Sequence, residues 1–377
     1  MSSATQTAWT APDLHLPETR TTRQQPAAAP AAPAVAEWPR TSRLVDEQIV
    51  DIITSAIDAT NSVQARGLWR HLADSFEGGK RLRPQLVWTS YAAFGGTDAL
   101  RCSALGAAFE LLHAALVIHD DVIDQDLTRR GRTNIAGIYG RGALERGMTE
   151  EEARHVGRSV AIVAGDMLLA AAFRAVRELD CPEPARQAIA DLMDRAVADA
   201  ASGELEDILI AQDASISLGD VLEMERQKTA VYSFAAPLAA GALLAGAPAA
   251  SAAALELLGE KVGIAYQVID DVLGTFGDPG QTGKSVTSDL RGGKMTALTA
   301  LGKRNPQVSS RLHAVTDTDD VEALKAALHR AGADDSALAL AHELVSEALQ
   351  DAADAGLPAP LRTDLTRICN HVLHREN

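Results

Sequence analysis

The 377-residue sequence predicts an all-α protein built as a single large helical bundle. Three observations carry that expectation. Apolar residues make up 46% of the chain but aromatics only 4%, and the excess is alanine, which suits closely packed helices. From Arg43 onward the apolar spacing is helical, and no alternating strand pattern survives. The breaks carry turn-forming residues: FGGTD near 94, CPEP near 181, GAP near 246, GDPGQTG near 277 and GLPAP near 356. Helices are expected at 44–66, 80–94, 99–125, 150–178, 183–212, 218–246, 250–276, 293–303, 319–331, 335–355 and 359–374.

Residues 1–41 are rich in Ala, Pro, Thr and Gln, with QQPAAAPAAPAVAEWPR as the plainest part. Repeated prolines argue against a helix there and few side chains are available for a core, so a disordered tail is expected, followed by one domain over 42–377. No period of 20 to 50 residues repeats, which disfavours a solenoid.

The formal charge of -16 disfavours nucleic acid as a partner, because the overall field repels phosphate. A phosphorylated substrate would need a local basic patch or metal ions. Cys102, Cys181 and Cys369 are widely spaced without a CxxC pair, and read as reduced thiols. No run of 18 uninterrupted apolar residues and no signal-peptide order is present, so a cytoplasmic protein without a membrane span is expected.

The chemistry concentrates in two helices. HDDVIDQDLTRRGR, residues 119–132, packs four carboxylates into seven positions and then three arginines into four. On a helix His113, Asp120 and Asp124 share a stripe, with Asp121 one position round. The preceding FELLHAALVI is apolar on nearly every side, as in a helix buried within a bundle. Carboxylates at the end of such a helix are costly unless cations pair with them. The segment IAYQVIDDVLG repeats the design, with Gln267, Asp270, Asp271 and Gly274 at i, i+3, i+4 and i+7.

Two such helices face to face would offer clustered oxygen ligands, a donor set that selects a hard cation, foremost Mg²⁺. Mg²⁺ keeps several waters and bridges carboxylates to substrate phosphates. The basic segments then have a purpose. Arg129 and Arg130 can grip diphosphate oxygens, and GGKRLRP (78–84) sets Lys80 and Arg83 on one helical face. ERQKTAVYSF supplies Lys228, Thr229 and Tyr232, while GDPGQTGKSVTSDLRGGKMT supplies Lys284 and Lys294.

Each motif alone has a bland reading. A single DDxxD is commonly a solvated helix end, GGKRLRP a turn before a basic helix start, Lys228 with Tyr232 a surface pair, and His113 a satisfied core histidine. Their ordered occurrence on apolar helices is what favours a metal-bound diphosphate site. His119 reads as structural.

GGKRLRP, LLH seven before DDVID, LTRRG, the GD of Gly165 and Asp166, KTA at 228–230, YQVIDDVLG and GDP…TGK…SDL…GK together resemble the trans-isoprenyl diphosphate synthase (polyprenyl synthetase) family over about residues 44–375. The resemblance implies a mostly antiparallel bundle around a deep central cavity, a homodimer, and head-to-tail transfer of an allylic prenyl group to isopentenyl diphosphate. It assigns two or three Mg²⁺ ions to Asp120, Asp121, Asp124, Asp270 and Asp271. It places Lys80, Arg83, His113 and Arg130 at isopentenyl diphosphate. Arg129, Lys228, Gln267 and Lys284 fall around the allylic diphosphate, Lys294 with the catalytic set, and Thr229 and Tyr232 along the reacting carbons. The departing diphosphate is the expected proton acceptor.

Two departures stand out. Gly274 occupies the place of a third aspartate, and Asp126 extends the first motif, about 200° round the helix from Asp124, so it should point away unless the helix ends first. Ala115 and Leu116 stand where bulky aromatics close the cavity in the family's shorter-product enzymes. With Leu112 one turn before Leu116, they imply a deeper floor and geranylgeranyl diphosphate as product, farnesyl or longer polyprenyl diphosphates being the alternatives. A class I terpene cyclase would carry an asparagine-serine-glutamate metal triad in place of the second aspartate pair. A non-catalytic regulatory subunit could have lost its aspartates, whereas five remain here.

Overall fold

In the computed structural model, the structure describes residues 34–210, 216–277, 290, 294–312 and 318–374. These belong to one compact unit, Ala31–Asn377. The elements in chain order are α1 (Ala34–Ala59), α2 (Val63–Ser75), α3 (Leu82–Ala93), α4 (Ala99–Ile123), a two-stranded hairpin of β1 (Thr128–Arg129) and β2 (Arg132–Thr133), α5 (Ile135–Glu145), α6 (Glu150–Arg177) and α7 (Glu183–Ile210). Then come α8 (Leu218–Glu225), a π-helical segment (Arg226–Ala235), α9 (Ala236–Leu244), α10 (Ala249–Phe276), α11 (Ala297–Gly302), α12 (Pro306–Leu312), α13 (Thr318–Arg330), α14 (Ala333–Asp354) and α15 (Ala359–Leu373). The all-α expectation holds.

α4 and α10 are the two axes of the bundle. α4 packs on α1, α3 and α6, and buries Leu105, Phe109, Leu111, Leu112 and Ala115 completely. Removing a Leu or Phe side chain of this kind from water contributes about 1.5–3 kcal/mol. α10 packs on the π-helical segment, α9 and α14 through Leu255, Leu258, Val262, Val268 and Ile269. Both helices are apolar over most of their surface, and each carries its aspartate pair toward its C-terminal end.

Several boundaries differ from the sequence reading. The single helix expected at 44–66 is two, because Ser62 caps α2 by accepting the Ala65 N–H at 3.2 Å. α1 begins at Ala34, inside the stretch read as tail, and contains Pro39. A proline near the start of a helix forgoes only one rung of hydrogen bonds, close to the end where N–H groups lack helical partners anyway. The tail expectation for residues 1–33 lies outside the described residues.

The helix expected at 218–246 is interrupted at 226–235, where the backbone bonds five residues back instead of four. α2, α5, α12 and the hairpin went unpredicted. α4 stops at Ile123, with Asp124 as its C-cap and Gln125 in the left-handed region at φ 61°. Asp126 is therefore outside the helix and exposed, its N–H bonded to Asp121 O. By length and composition alone α4 and α6 could each cross a membrane. The apolar stretch of α4 is 67% buried inside the protein, against 39% for α6.

Candidate active site

The end of α4 is held by the hairpin that follows it. Arg130 and Gly131 both have positive φ (51° and 72°), the pattern of a type I′ turn matched to strand twist, and they send the chain straight back. The turn lays Arg129 over the acidic pair: Nε donates to Asp121 Oδ1 at 2.7 Å and Nη2 to Asp120 Oδ2 at 2.9 Å. Asn134, the N-cap of α5, donates from Nδ2 to Asp121 Oδ2 at 3.1 Å and to the Asp126 carbonyl at 2.8 Å. Arg130 itself is exposed at the hairpin tip.

The π-helical segment supplies the next cation. Lys228 Nζ lies 2.6 Å from Asp207 Oδ2, 3.0 Å from Glu204 Oε2 and 3.4 Å from Asp120 Oδ1. Glu204 and Asp207 project from α7, which approaches so closely that a Cβ on Gly203 would fall 2.3 Å from the Lys228 backbone nitrogen. Lys294 closes the group, donating to Asp124 Oδ2 at 2.6 Å.

These cations decide the charge states. Burial acts to raise the Asp120 carboxyl, but Lys228, Arg129 and Lys294 outweigh it and hold the group below its ordinary value. For Asp121 burial prevails over Arg129, and the pKa is raised. Burial works against the charged forms of Lys228 and Lys294, yet the surrounding carboxylates win and both are raised.

The second acidic pair sits on α10. Gln267 Nε2 donates to Asp271 Oδ1 at 3.0 Å, one turn apart on the helix. Asp271 is buried, and Asp270 is half-buried beside it. Glu225, three residues before Lys228, is also buried; its Oε1 accepts the Ala297 N–H at 3.2 Å. Burial, and then the charge of Asp271, push the Glu225 carboxyl well above the usual range. One helical stretch thus presents Lys228 to the first acidic cluster and Glu225 to the second.

The third group lies between α3, α4 and the π-helical segment. Arg83 Nη2 donates to Ser233 Oγ at 2.7 Å, and its guanidinium lies 5.0 Å from the centre of the Tyr232 ring. Tyr232 stacks on His113, with the hydroxyl 3.3 Å from Nδ1. Burial, reinforced by Arg83, Arg129, Arg130 and Arg81, holds His113 well below its ordinary pKa and therefore neutral at physiological pH. Lys80 is exposed at the entrance to α3.

The structure brings Asp120, Asp121, Asp124, Arg129, Lys228 and Lys294 into one network, and Arg83, His113 and Tyr232 into a second. Gln267 and Asp271 form a third with Glu225. Thr229 is half-buried next to Lys228, Ala115 and Leu112 are fully buried, Leu116 and Gly274 are half-buried, and Lys284 lies outside the described residues. Glu110, Asn134, Glu204, Asp207, Glu225 and Ser233 were missed in the sequence. Glu204 and Asp207 left a trace in GELEDI, where acids at i and i+3 share a face.

An all-α frame thus carries carboxylate pairs toward the ends of two apolar helices and rings the first pair with half-buried lysine and arginine. The model of the polyprenyl synthetase family matches residues 67–331, so the chain belongs to that family and is a trans-prenyltransferase. It is 34% identical over 306 residues to the geranylgeranyl diphosphate synthase of Mycobacterium tuberculosis, covering 79% of this chain and 80% of that protein. It is 30% identical over 308 residues to a (2E,6E)-farnesyl diphosphate synthase of the same organism, with the same coverage. The crystal structure of geranylgeranyl pyrophosphate synthase from Corynebacterium glutamicum, complexed with isoprenyl diphosphate and magnesium, superposes with a TM-score of 0.82 at 28% identity, covering 89% of this chain and 99% of that one.

Proposed function

We propose that the protein condenses isopentenyl diphosphate head-to-tail with an allylic diphosphate to give geranylgeranyl diphosphate. The observation that carries this reading is the single helical stretch that sets Lys228 against Asp120 and the acid Glu225 against Asp271, so that both carboxylate clusters meet one short piece of chain.

The donor set fits Mg²⁺: every acidic ligand is a carboxylate oxygen, and the Glu225 Oε2 atom is buried without a hydrogen-bond partner among the described residues. Among those residues no three acidic, histidine or cysteine side chains converge to hold an ion by themselves. An ion shared between carboxylates and substrate phosphates answers to that geometry. Asp120, Asp121, Asp124, Asp270 and Asp271 would hold two or three ions, which neutralise charge on the departing diphosphate.

Arg129, Lys228, Gln267, Lys284 and Lys294 hold the allylic diphosphate, while Lys80, Arg83, Arg130 and neutral His113 hold isopentenyl diphosphate. Thr229 and Tyr232 flank the reacting carbons, where the apolar helices exclude water from the carbocation. The departing diphosphate accepts the final proton. Leu112, Ala115 and Leu116 set the chain length.

The assembly is a homodimer in the cytoplasm. α6 leaves Ile162 and Val163 47% and 52% exposed, an apolar face suited to a second copy. The three cysteines are free, as in a reducing compartment.

The test is incubation of the purified full chain with Mg²⁺, labelled isopentenyl diphosphate and each allylic primer in turn, followed by chromatography of the products. A twenty-carbon product is expected. A product stopping at fifteen carbons, or ranging to thirty and beyond, rejects the chain length. No product from any primer rejects the catalytic reading in favour of a regulatory subunit.

A further inference from the structure

Within GGKRLRP, Arg81, one of the two residues between the proposed ligands Lys80 and Arg83, points the other way. Arg81 has a left-handed backbone at φ 52° and is 9% exposed, a costly combination for a non-glycine residue carrying a charge. It is held from three elements. Nε donates to Asp46 Oδ1 of α1 at 2.7 Å, Nη2 to the Phe76 carbonyl that follows α2 at 2.6 Å, and Nη1 to Glu110 Oε2 of α4 at 3.3 Å. Its guanidinium crosses directly over Gly79, where a Cβ would sit 2.5 Å from Nη1.

Glu110 continues the chain of contacts. Its other oxygen, Oε1, is 4.0 Å from Arg83 Nη1, and both Glu110 Oε1 and Arg83 Nε are buried without a hydrogen-bond partner among the described residues. Glu110 and His113 are three apart on α4, so one face of that helix carries both the acid under Arg83 and the histidine beside Tyr232.

We propose that Arg81 and Glu110 are positioning residues for the isopentenyl diphosphate site. Arg81 anchors the turn, so that Lys80 leaves it toward solvent and α3 starts with Arg83 in register. Glu110 accepts from Arg81 on one oxygen and sets its other oxygen 4.0 Å from Arg83 Nη1, a charge that holds the Arg83 guanidinium on that side of the site. This rests on the reading of Lys80 and Arg83 as ligands.

The experiment compares full-length R81A, R81K, E110Q, K80A and R83A in steady-state kinetics and in calorimetric binding of isopentenyl diphosphate without an allylic substrate. R81A raises KM for isopentenyl diphosphate and its dissociation constant roughly 10- to 100-fold, the scale of one or two lost charge-assisted hydrogen bonds. The allylic KM and kcat stay within about threefold on that reading. E110Q, which keeps an acceptor, shows a smaller rise in the same constant, and R81K recovers part of the loss.

Equal rises in both substrates' KM, or a fall in kcat alone, overturn the positioning role. If R81A does not fold, the decision passes to E110Q and R81K, and an unchanged isopentenyl diphosphate constant in both overturns it. Unchanged constants in K80A and R83A sink the underlying site reading instead.

Discussion

Lys294 Nζ lies 2.6 Å from Asp124 Oδ2, joining the last carboxylate of the first acidic motif to a residue 170 positions away in sequence. The lysine neutralises this carboxylate, so if Asp124 holds a metal ion as proposed, Lys294 would compete with it at that oxygen. Lys294→Met should strengthen divalent binding to the protein alone, by about threefold to tenfold on the scale of a partly exposed ion pair. It should also lower kcat if Lys294 holds the diphosphate as proposed. Mn²⁺ titration followed by electron paramagnetic resonance reads the first effect without turnover; weaker Mn²⁺ binding would refute the competition.

Lys228 offers a test with a defined pH sign. It is 20% exposed among Asp120, Glu204 and Asp207, and removing it strands three carboxylates in a partly dry site. Lys228→Met should cost about 3 kcal/mol at pH 7. Burial already raises the Glu204 carboxyl against the pull of Lys228, and without the lysine it rises further above its unfolded value. Groups shifted upward contribute stability at low pH that is lost as pH rises through the folded pKa. The deficit relative to wild type should therefore shrink between pH 7 and pH 5. Urea unfolding at both pH values measures it, and a deficit that grows on acidification contradicts the assignment.

The acidic pairs were legible because DDVID and IDDV close apolar helices, where a carboxylate is conspicuous. Glu204, Asp207 and Glu225 were not, since acids at helical spacing in a charged segment look the same as a solvated face until tertiary packing buries them. The hairpin escaped because TR and RT are too short to alternate, and because Arg130 stands at the turn position where Asn, Asp or Gly is usual, leaving Gly131 as the one turn signal. The π-helical segment escaped because one slipped hydrogen-bond register leaves no compositional mark, yet it is the stretch that carries Lys228, Tyr232 and Ser233. The break before α2 was readable in principle from Ser62, a good N-cap inside TNS.

Ala115 is fully buried on α4, five residues before Asp120. If that position borders the growing chain, Ala115→Phe places an aromatic ring in the space the last isoprene unit occupies, and the product shortens from twenty to fifteen carbons. The ring would then enter open volume, and the stability change stays below about 1 kcal/mol. If residue 115 instead lies in packed core, the same substitution overpacks it and costs about 1–3 kcal/mol with product length unchanged. Product chromatography together with a denaturation curve separates the two.

The exposed face of α6 sets the last expectation. Ile162 and Val163 lie on the helix that also carries Asp166, which pairs with His119 of α4 at 3.5 Å, so this surface borders the acidic end of α4. A homodimer formed there would bury apolar side chains at about 25 cal/mol per Å² and would hold α4 from behind. Ile162→Glu should then weaken dimerisation by about 2–4 kcal/mol, because a charge enters an apolar interface on each subunit. Sedimentation velocity at micromolar protein should show a dimer for the wild type and monomer for the variant, with the helical circular dichroism retained. A variant that remains dimeric at that concentration would move the interface off α6.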